Sequence, residues 1–173
     1  KIPAGLLRIP SHPPHTPPTR PCVSRSSVLW HLLGPDDGRV NGVPPFHGAG
    51  AFVYGLSGLS AGGTLVLPTR LGRRNRGFVG AIWRQVEKHR ITAIGGVPTV
   101  ISALNAVAVD ADISSLRVML TGGSPLPSEL ADAFERGTGK PVRNILGMTE
   151  GAGVVTIEPL LAPRTAGSPG LRL

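Results

Sequence analysis

Twice in the second half of this chain a short apolar run ends in a pair of glycines and a proline follows closely, and that punctuation restricts the possible folds more than any other feature. Residues 91–94 run into Gly95-Gly96 with Pro98 next, and residues 116–120 run into Gly122-Gly123 with Pro127 beyond. A short apolar run bounded by glycine suits a buried strand, and proline is well placed in the first turn of a helix because its missing N–H would have no partner there. The helix after Pro98 places Val100, Ile101 and Leu104 on one stripe and ends near Val107. The helix after Pro127 carries Glu129 in its first turn and turns Leu130, Ala133 and Phe134 inward. Residues 64–67, closed by Pro68, predict a further buried strand, and residues 78–89, with Phe78, Ile82 and Val86 in register, predict a helix. Strands are also expected at residues 141–146 and 154–157. Strand and helix in alternation predict an α/β fold of parallel-sheet βα repeats with right-handed crossovers.

Composition sets the scale of the core. The 173 residues are 40% apolar but only 4% aromatic, so packing rests on Val, Leu, Ile and Ala. Eight prolines fall within the first 40 residues, including Pro13-Pro14 and Pro17-Pro18, and this density predicts neither regular helix nor central strand there. Residues 1–36 are therefore read as a disordered or non-native start, with His12 and His15 on a plain tail. Residues 37–173 form the folded unit. The single Cys22 excludes an internal disulfide and a CxxC metal site, which suits a reducing, cytoplasmic setting. Nothing resembles a signal peptide, and the absence of an initiator Met suggests a fragment or a misread start.

The formal charge of +8 is uneven. Residues 70–90 carry seven basic groups and one acidic (+6), whereas residues 91–173 carry six and seven (−1). Arg70, Arg73, Arg74 and Arg76 could meet an anion or a nucleic acid, but no aromatic residues are interleaved with them, so a solvated loop is the preferred reading. Residues 40–69 and 91–109 lack charge and could pair as a membrane hairpin, but their glycines and prolines weaken both spans. Gly58-Leu59-Ser60-Ala61-Gly62 fits the GxSxG pattern of a hydrolase nucleophile, which needs a strand before the serine. Here a small-residue helix precedes Ser60 and a strand follows, so the match is assigned to chance.

Chemistry is expected where the strands end, since ligands of open parallel sheets bind beyond the carboxyl ends of the strands. Glycine-containing loops at residues 95–99, 122–124 and 147–151 occupy three such ends. If their strands are neighbours, their N–H groups and hydroxyls converge on one pocket suited to a phosphate-bearing ligand. The segment Leu146-Gly147-Met148-Thr149-Glu150 adds a hydroxyl for a phosphate oxygen and a hard carboxylate suited to Mg²⁺.

Pro45-Phe46-His47, Val97-Pro98-Thr99, Gly122-Gly123-Ser124-Pro125-Leu126, Gly147-Met148-Thr149-Glu150 and Gly167-Ser168 stand in an order that resembles the adenylate-forming superfamily, acyl-CoA synthetase type, over residues 36–173. The resemblance implies a partial adenylation domain of an enzyme that activates a carboxylic acid with ATP and passes the acyl group to coenzyme A. By the same likeness, Thr149 would contact the adenylate phosphate and Glu150 would hold Mg²⁺. Gly122, Gly123, Ser124, Leu146, Gly147 and Met148 would line the nucleotide site, with His47 and Thr99 toward the acyl group. Partners implied are a small carboxylic acid and a nucleotide, with neither nucleic acid nor a membrane span. The chain departs from the family in three ways. Leu146 replaces an aromatic residue, Pro169 follows Gly167-Ser168, and no glycine-rich phosphate loop with its lysine precedes Phe46. Another adenylate-forming enzyme, or a noncatalytic remnant with an Arg-rich anion-binding loop, is the alternative reading.

Overall fold

The computed structural model describes residues 17–68, 76–151 and 153–172. Arg70, Arg73 and Arg74, like His12 and His15, lie outside those residues. Its frame is a seven-stranded sheet in the order β2-β1-β3-β4-β5-β6-β7. The strands are β1 (Gly38–Val40), β2 (Thr64–Val66), β3 (Ile91–Gly96), β4 (Val118–Gly122), β5 (Val142–Met148), β6 (Gly153–Ile157) and β7 (Leu171–Arg172). The helices are α1 (Thr19–Trp30), a π-helical stretch Ala49–Leu56 that continues as α2 (Ser57–Ser60), α3 (Arg76–Gly80), α4 (Ile82–His89), α5 (Pro98–Asn105) and α6 (Ser128–Thr138).

The alternation along β3, β4 and β5 delivers the expected parallel register, with Gly96 opposite Thr121 and Gly122 opposite Ile145. Parallel pairing stops after β5. Only the short 3-10 turn Thr149–Gly151 links it to β6, too few residues for a crossover, so β6 and then β7 pair antiparallel. The expectation of parallel strands throughout is corrected there. The predicted helix over residues 78–89 is also broken in two, with Ala81 between α3 and α4.

Side-chain alternation along the strands divides the interior into two layers. On one face Met119 and Ile94 pack with Trp83, Val86, Ile101, Leu104 and Phe134 under α4, α5 and α6. On the other, Val118, Leu120, Ala93 and Ile145 pack with Val23, Val53 and Tyr54 under α1 and the π-helix.

Two elements contradict the sequence expectation. Residues 19–30 form a regular helix despite Pro18 and Pro21. Pro18 is the N-cap and Pro21 lies in the first turn, where no N–H is needed, and the helical bonds start with Cys22 N–H donating to Pro18 O at 3.1 Å. Strand β1 is built around Arg39, which is only 1% exposed. Its Nη1 donates to Val53 O and Ser57 Oγ, and its guanidinium lies 5.3 Å over the Tyr54 ring. Its Nε and Nη2 have no hydrogen-bond partner, and burial lowers its pKa from 12.5 to about 10.

That depression measures a cost of about 3 kcal/mol at neutral pH, because the folded state holds the charged form less favourably than the unfolded state does. The two Nη1 hydrogen bonds offset part of this at about 1 kcal/mol each. Ser57 Oγ also donates to Val53 O, so removing the guanidinium strands neither group. Arg39→Met is therefore expected to raise unfolding stability by roughly 1–2 kcal/mol, read as a later urea midpoint at pH 7. An earlier midpoint would show that the guanidinium is better compensated than its surroundings indicate.

Candidate functional site: a cleft at the strand ends

Because β3, β4 and β5 are adjacent, the turns that follow them are adjacent too. Gly123, at φ +85°, makes the left-handed turn that leaves β4, and the Val97 side chain before α5 lies beside it. Beyond β4 and against the second half of β5 opens a cavity of about 450 Å³, within the size range of small-molecule sites. One wall is the turn Gly123, Ser124, Pro125 and Leu126, and the floor is Asn144, Ile145, Leu146 and Gly147 of β5. The opposite wall comes from residues 158–169, through Glu158, Arg164, Thr165, Gly167, Ser168 and Pro169.

The predicted residues thus divide. Gly123, Ser124, Leu146 and Gly147 line the cleft together, as does the Gly167-Ser168 pair. Gly122 is buried at the end of β4, directly opposite Ile145 of the floor. Met148 ends β5, and Thr149 and Glu150 form the turn immediately after it, outside the cavity lining but continuous with its floor. Met148 is 49% exposed and Glu150 is exposed. Thr99 is exposed in the first turn of α5, the helix whose preceding residue touches Gly123. His47 is also exposed, and its Nδ1 accepts the Ala49 N–H at 3.2 Å, closing the turn that leads into the π-helix. Neither Thr99 nor His47 lines the cavity.

Sequence reading missed Asn144, Glu158, Arg164 and Thr165. Asn144 sits on the floor and its Nδ2 donates to Ser168 O at 3.3 Å, joining floor to wall. Arg164 pairs with Asp132 on α6, and its Nε lies 3.8 Å from Glu135. A polar amide two positions before Leu146, next to the apolar Ile145-Leu146 pair of the strand, was the available signal for Asn144. The other three became visible only when the chain folded back after β6.

Among the described residues no group of three His, Cys, Asp or Glu side chains could hold a metal ion by itself. The donor set still suits Mg²⁺ carried on a nucleotide, since that ion keeps several waters and substrate oxygens and needs only one or two carboxylates from the protein. Glu150 is such a carboxylate. Ser60 ends α2 and donates to Ser57 O at 3.1 Å, with helix before it and β2 after it, so no nucleophile elbow forms. Among the described residues no helix is long and apolar enough to cross a membrane.

Comparison with known proteins agrees with this geometry. The chain is 33% identical over 132 residues to marinolic acid–CoA ligase of Pseudoalteromonas, covering 76% of this chain and 20% of the relative. It is 34% identical over 143 residues to feruloyl-CoA synthase of Amycolatopsis, covering 80% of this chain and 28% of the relative. Among solved structures, O-succinylbenzoate coenzyme A synthetase from Bacillus subtilis, in complex with ATP and magnesium ion, superposes with a TM-score of 0.75 at 26% identity. That superposition covers 91% of this chain and 32% of the synthetase. This chain thus spans between a fifth and a third of the length of these relatives. The description matched over residues 19–173 is that of the AMP-binding enzymes, and the chain belongs to that family.

Proposed function

We propose that this chain is the nucleotide-binding part of an acyl-CoA ligase adenylation domain. The observation that carries this reading is the convergence of the β4 and β5 ends with residues 158–169 on one cleft floored by Asn144, Leu146 and Gly147. In the proposed reaction a substrate carboxylate oxygen attacks the α-phosphorus of ATP, and pyrophosphate leaves with the electrons of the broken P–O bond. The thiolate of coenzyme A then attacks the acyl carbon and AMP departs.

Ser124 and Asn144 present a hydroxyl and an amide to the nucleoside, while Leu146 gives it an apolar floor in place of a stacked ring. Thr149, in the turn that follows β5, would donate to the phosphate. Glu150 would hold Mg²⁺, which when bound neutralises charge on the leaving pyrophosphate. The carboxylic acid and coenzyme A complete the set of small-molecule partners, and the single free Cys22 fits a cytoplasmic setting.

Catalysis by this chain alone is not expected, because it spans only between a fifth and a third of the length of the relatives it matches. Calorimetry should detect AMP binding, and Thr149→Ala should weaken it about tenfold, the loss of one hydrogen bond to a charged group. Glu150→Gln should leave AMP affinity unchanged and remove the Mg²⁺ dependence of ATP binding. ATP–pyrophosphate exchange should be absent. Robust exchange by the isolated chain, or no AMP binding at all, contradicts this reading.

A further inference from the structure

Glu158 is a carboxylate only 5% exposed that faces the cleft, and its three hydrogen bonds explain why it sits there. It follows the last residue of β6, and its backbone N–H donates to Asn144 O at 3.0 Å as an ordinary rung of the antiparallel ladder. The reciprocal bond of that pair would use its own carbonyl, but β6 has ended at Ile157 and Pro159 follows. The side chain returns instead, and Oε2 accepts the Asn144 N–H at 2.7 Å. Oε1 then accepts the Thr165 N–H at 3.1 Å, seven residues along the departing segment. One carboxylate therefore joins the floor of the cleft to its far wall.

That wall has no helix or strand to hold it, for residues 158–169 are irregular. Arg143 on β5 secures the first part, donating to Pro159 O, Leu160 O and Ala162 O at 2.6–3.2 Å. Arg164 anchors the middle to α6 through Asp132. Of these charged groups, Glu158 both lines the cavity and binds its floor. Two N–H donors make its burial tolerable, since a buried carboxylate without partners would cost several kcal/mol.

We propose that Glu158 is a positioning residue of the cleft, whose carboxylate ties Thr165 to β5 and so sets the separation between the wall at residues 165–169 and the wall at residues 123–126. The proposal rests on the nucleotide reading above. The experiment compares Glu158→Ala, Glu158→Gln and Val86→Ala with the parent chain, using AMP as the probe in calorimetry, urea unfolding for stability and amide hydrogen exchange for local opening. Val86 is fully buried on α4, which contributes no residue to the cleft, so its substitution lowers stability without touching the cleft. Glu158→Ala should weaken AMP binding tenfold or more. Glu158→Gln, which keeps one acceptor oxygen, should fall between it and the parent. Val86→Ala should destabilise the fold comparably and leave AMP affinity of the folded chain unchanged. The Thr165 amide should exchange at least tenfold faster in Glu158→Ala, beyond any change at Leu120 in the centre of the sheet.

Parent-like AMP affinity in Glu158→Ala, or equal weakening in Val86→Ala, overturns the proposal. If the parent itself binds no AMP, the nucleotide reading fails and exchange decides the positioning claim. Opening confined to residues 165–169 then supports it, and a uniform change across the sheet refutes it.

Discussion

Gly147→Ala is expected to destabilise the fold by about 3 kcal/mol and to weaken AMP binding at least tenfold. A methyl group at Gly147 would lie 2.1 Å from Gly153 O and 3.1 Å from its carbonyl carbon, both main-chain atoms of the paired strand β6. No side chain there can swing aside, so the two strands must part. The ladder is already irregular at that point, where its register shifts between Leu146 and Gly147. Parting the strands moves the turn that carries Thr149 and Glu150 and lifts the floor of the cleft together with it. Gly137→Ala supplies the contrast. Gly137 lies within α6 with open space around the added carbon, so alanine there should raise stability by roughly 0.5–1 kcal/mol through helix propensity. Urea unfolding of the two variants checks the pair, and a Gly147→Ala chain as stable as the parent would show that β5 and β6 are not packed this closely.

Acidification below pH 6.5 should destabilise the chain through His31, with a slope that approaches about 1.4 kcal/mol per pH unit, the limit for one proton. The imidazole belongs to the C-cap residue of α1, is 3% exposed, and neither nitrogen has a hydrogen-bond partner. Burial, followed by the charge of Arg39 on β1, holds its pKa well below the ordinary 6.5. Asp37, the nearby carboxylate, is already engaged by Arg117, Thr92 and the Gly34 N–H. Between pH 6.5 and the folded-state pKa the unfolded chain binds the extra proton and the folded chain does not. Stability therefore rises with pH across that window, is full above it and is lost as pH falls. Asp112, whose carboxylate is lowered by hydrogen bonds from the Ser114 backbone and hydroxyl, adds an acid loss in the same direction but only below about pH 4, so the upper window belongs to His31. His31→Leu should remove the slope that begins below pH 6.5. A slope that persists in the variant would place the acid-sensitive group elsewhere.

The parts of this molecule that could be read in advance are those where local chemistry and tertiary context agree. Gly95-Gly96 before Pro98, and Gly122-Gly123 before Pro127, mark strand ends and helix starts that the fold uses, and the parallel order followed from them. Strand β1 was hidden because Arg39 interrupts its apolar run, and what makes that position an interior one is Tyr54 and Ser57, residues far along the chain. Helix α1 was hidden by counting prolines without asking where in the first turn they fall. The floor and one wall of the cleft were legible through Gly147, Leu146, Gly123 and Ser124. The second wall was largely not, because its order depends on Arg143, Glu158 and Arg164 reaching main-chain groups and carboxylates that no periodic pattern reports.

Titration of AMP into the isotopically labelled chain, followed by amide chemical shifts, tests the central claim most directly. The account predicts concentrated shifts at Gly123, Ser124, Leu146, Gly147, Thr165 and Ser168, with none in the separate cleft formed by Leu65, Phe78 and Gln85. Shifts confined to that second cleft, or scattered along the basic segment at residues 70–76, would contradict it.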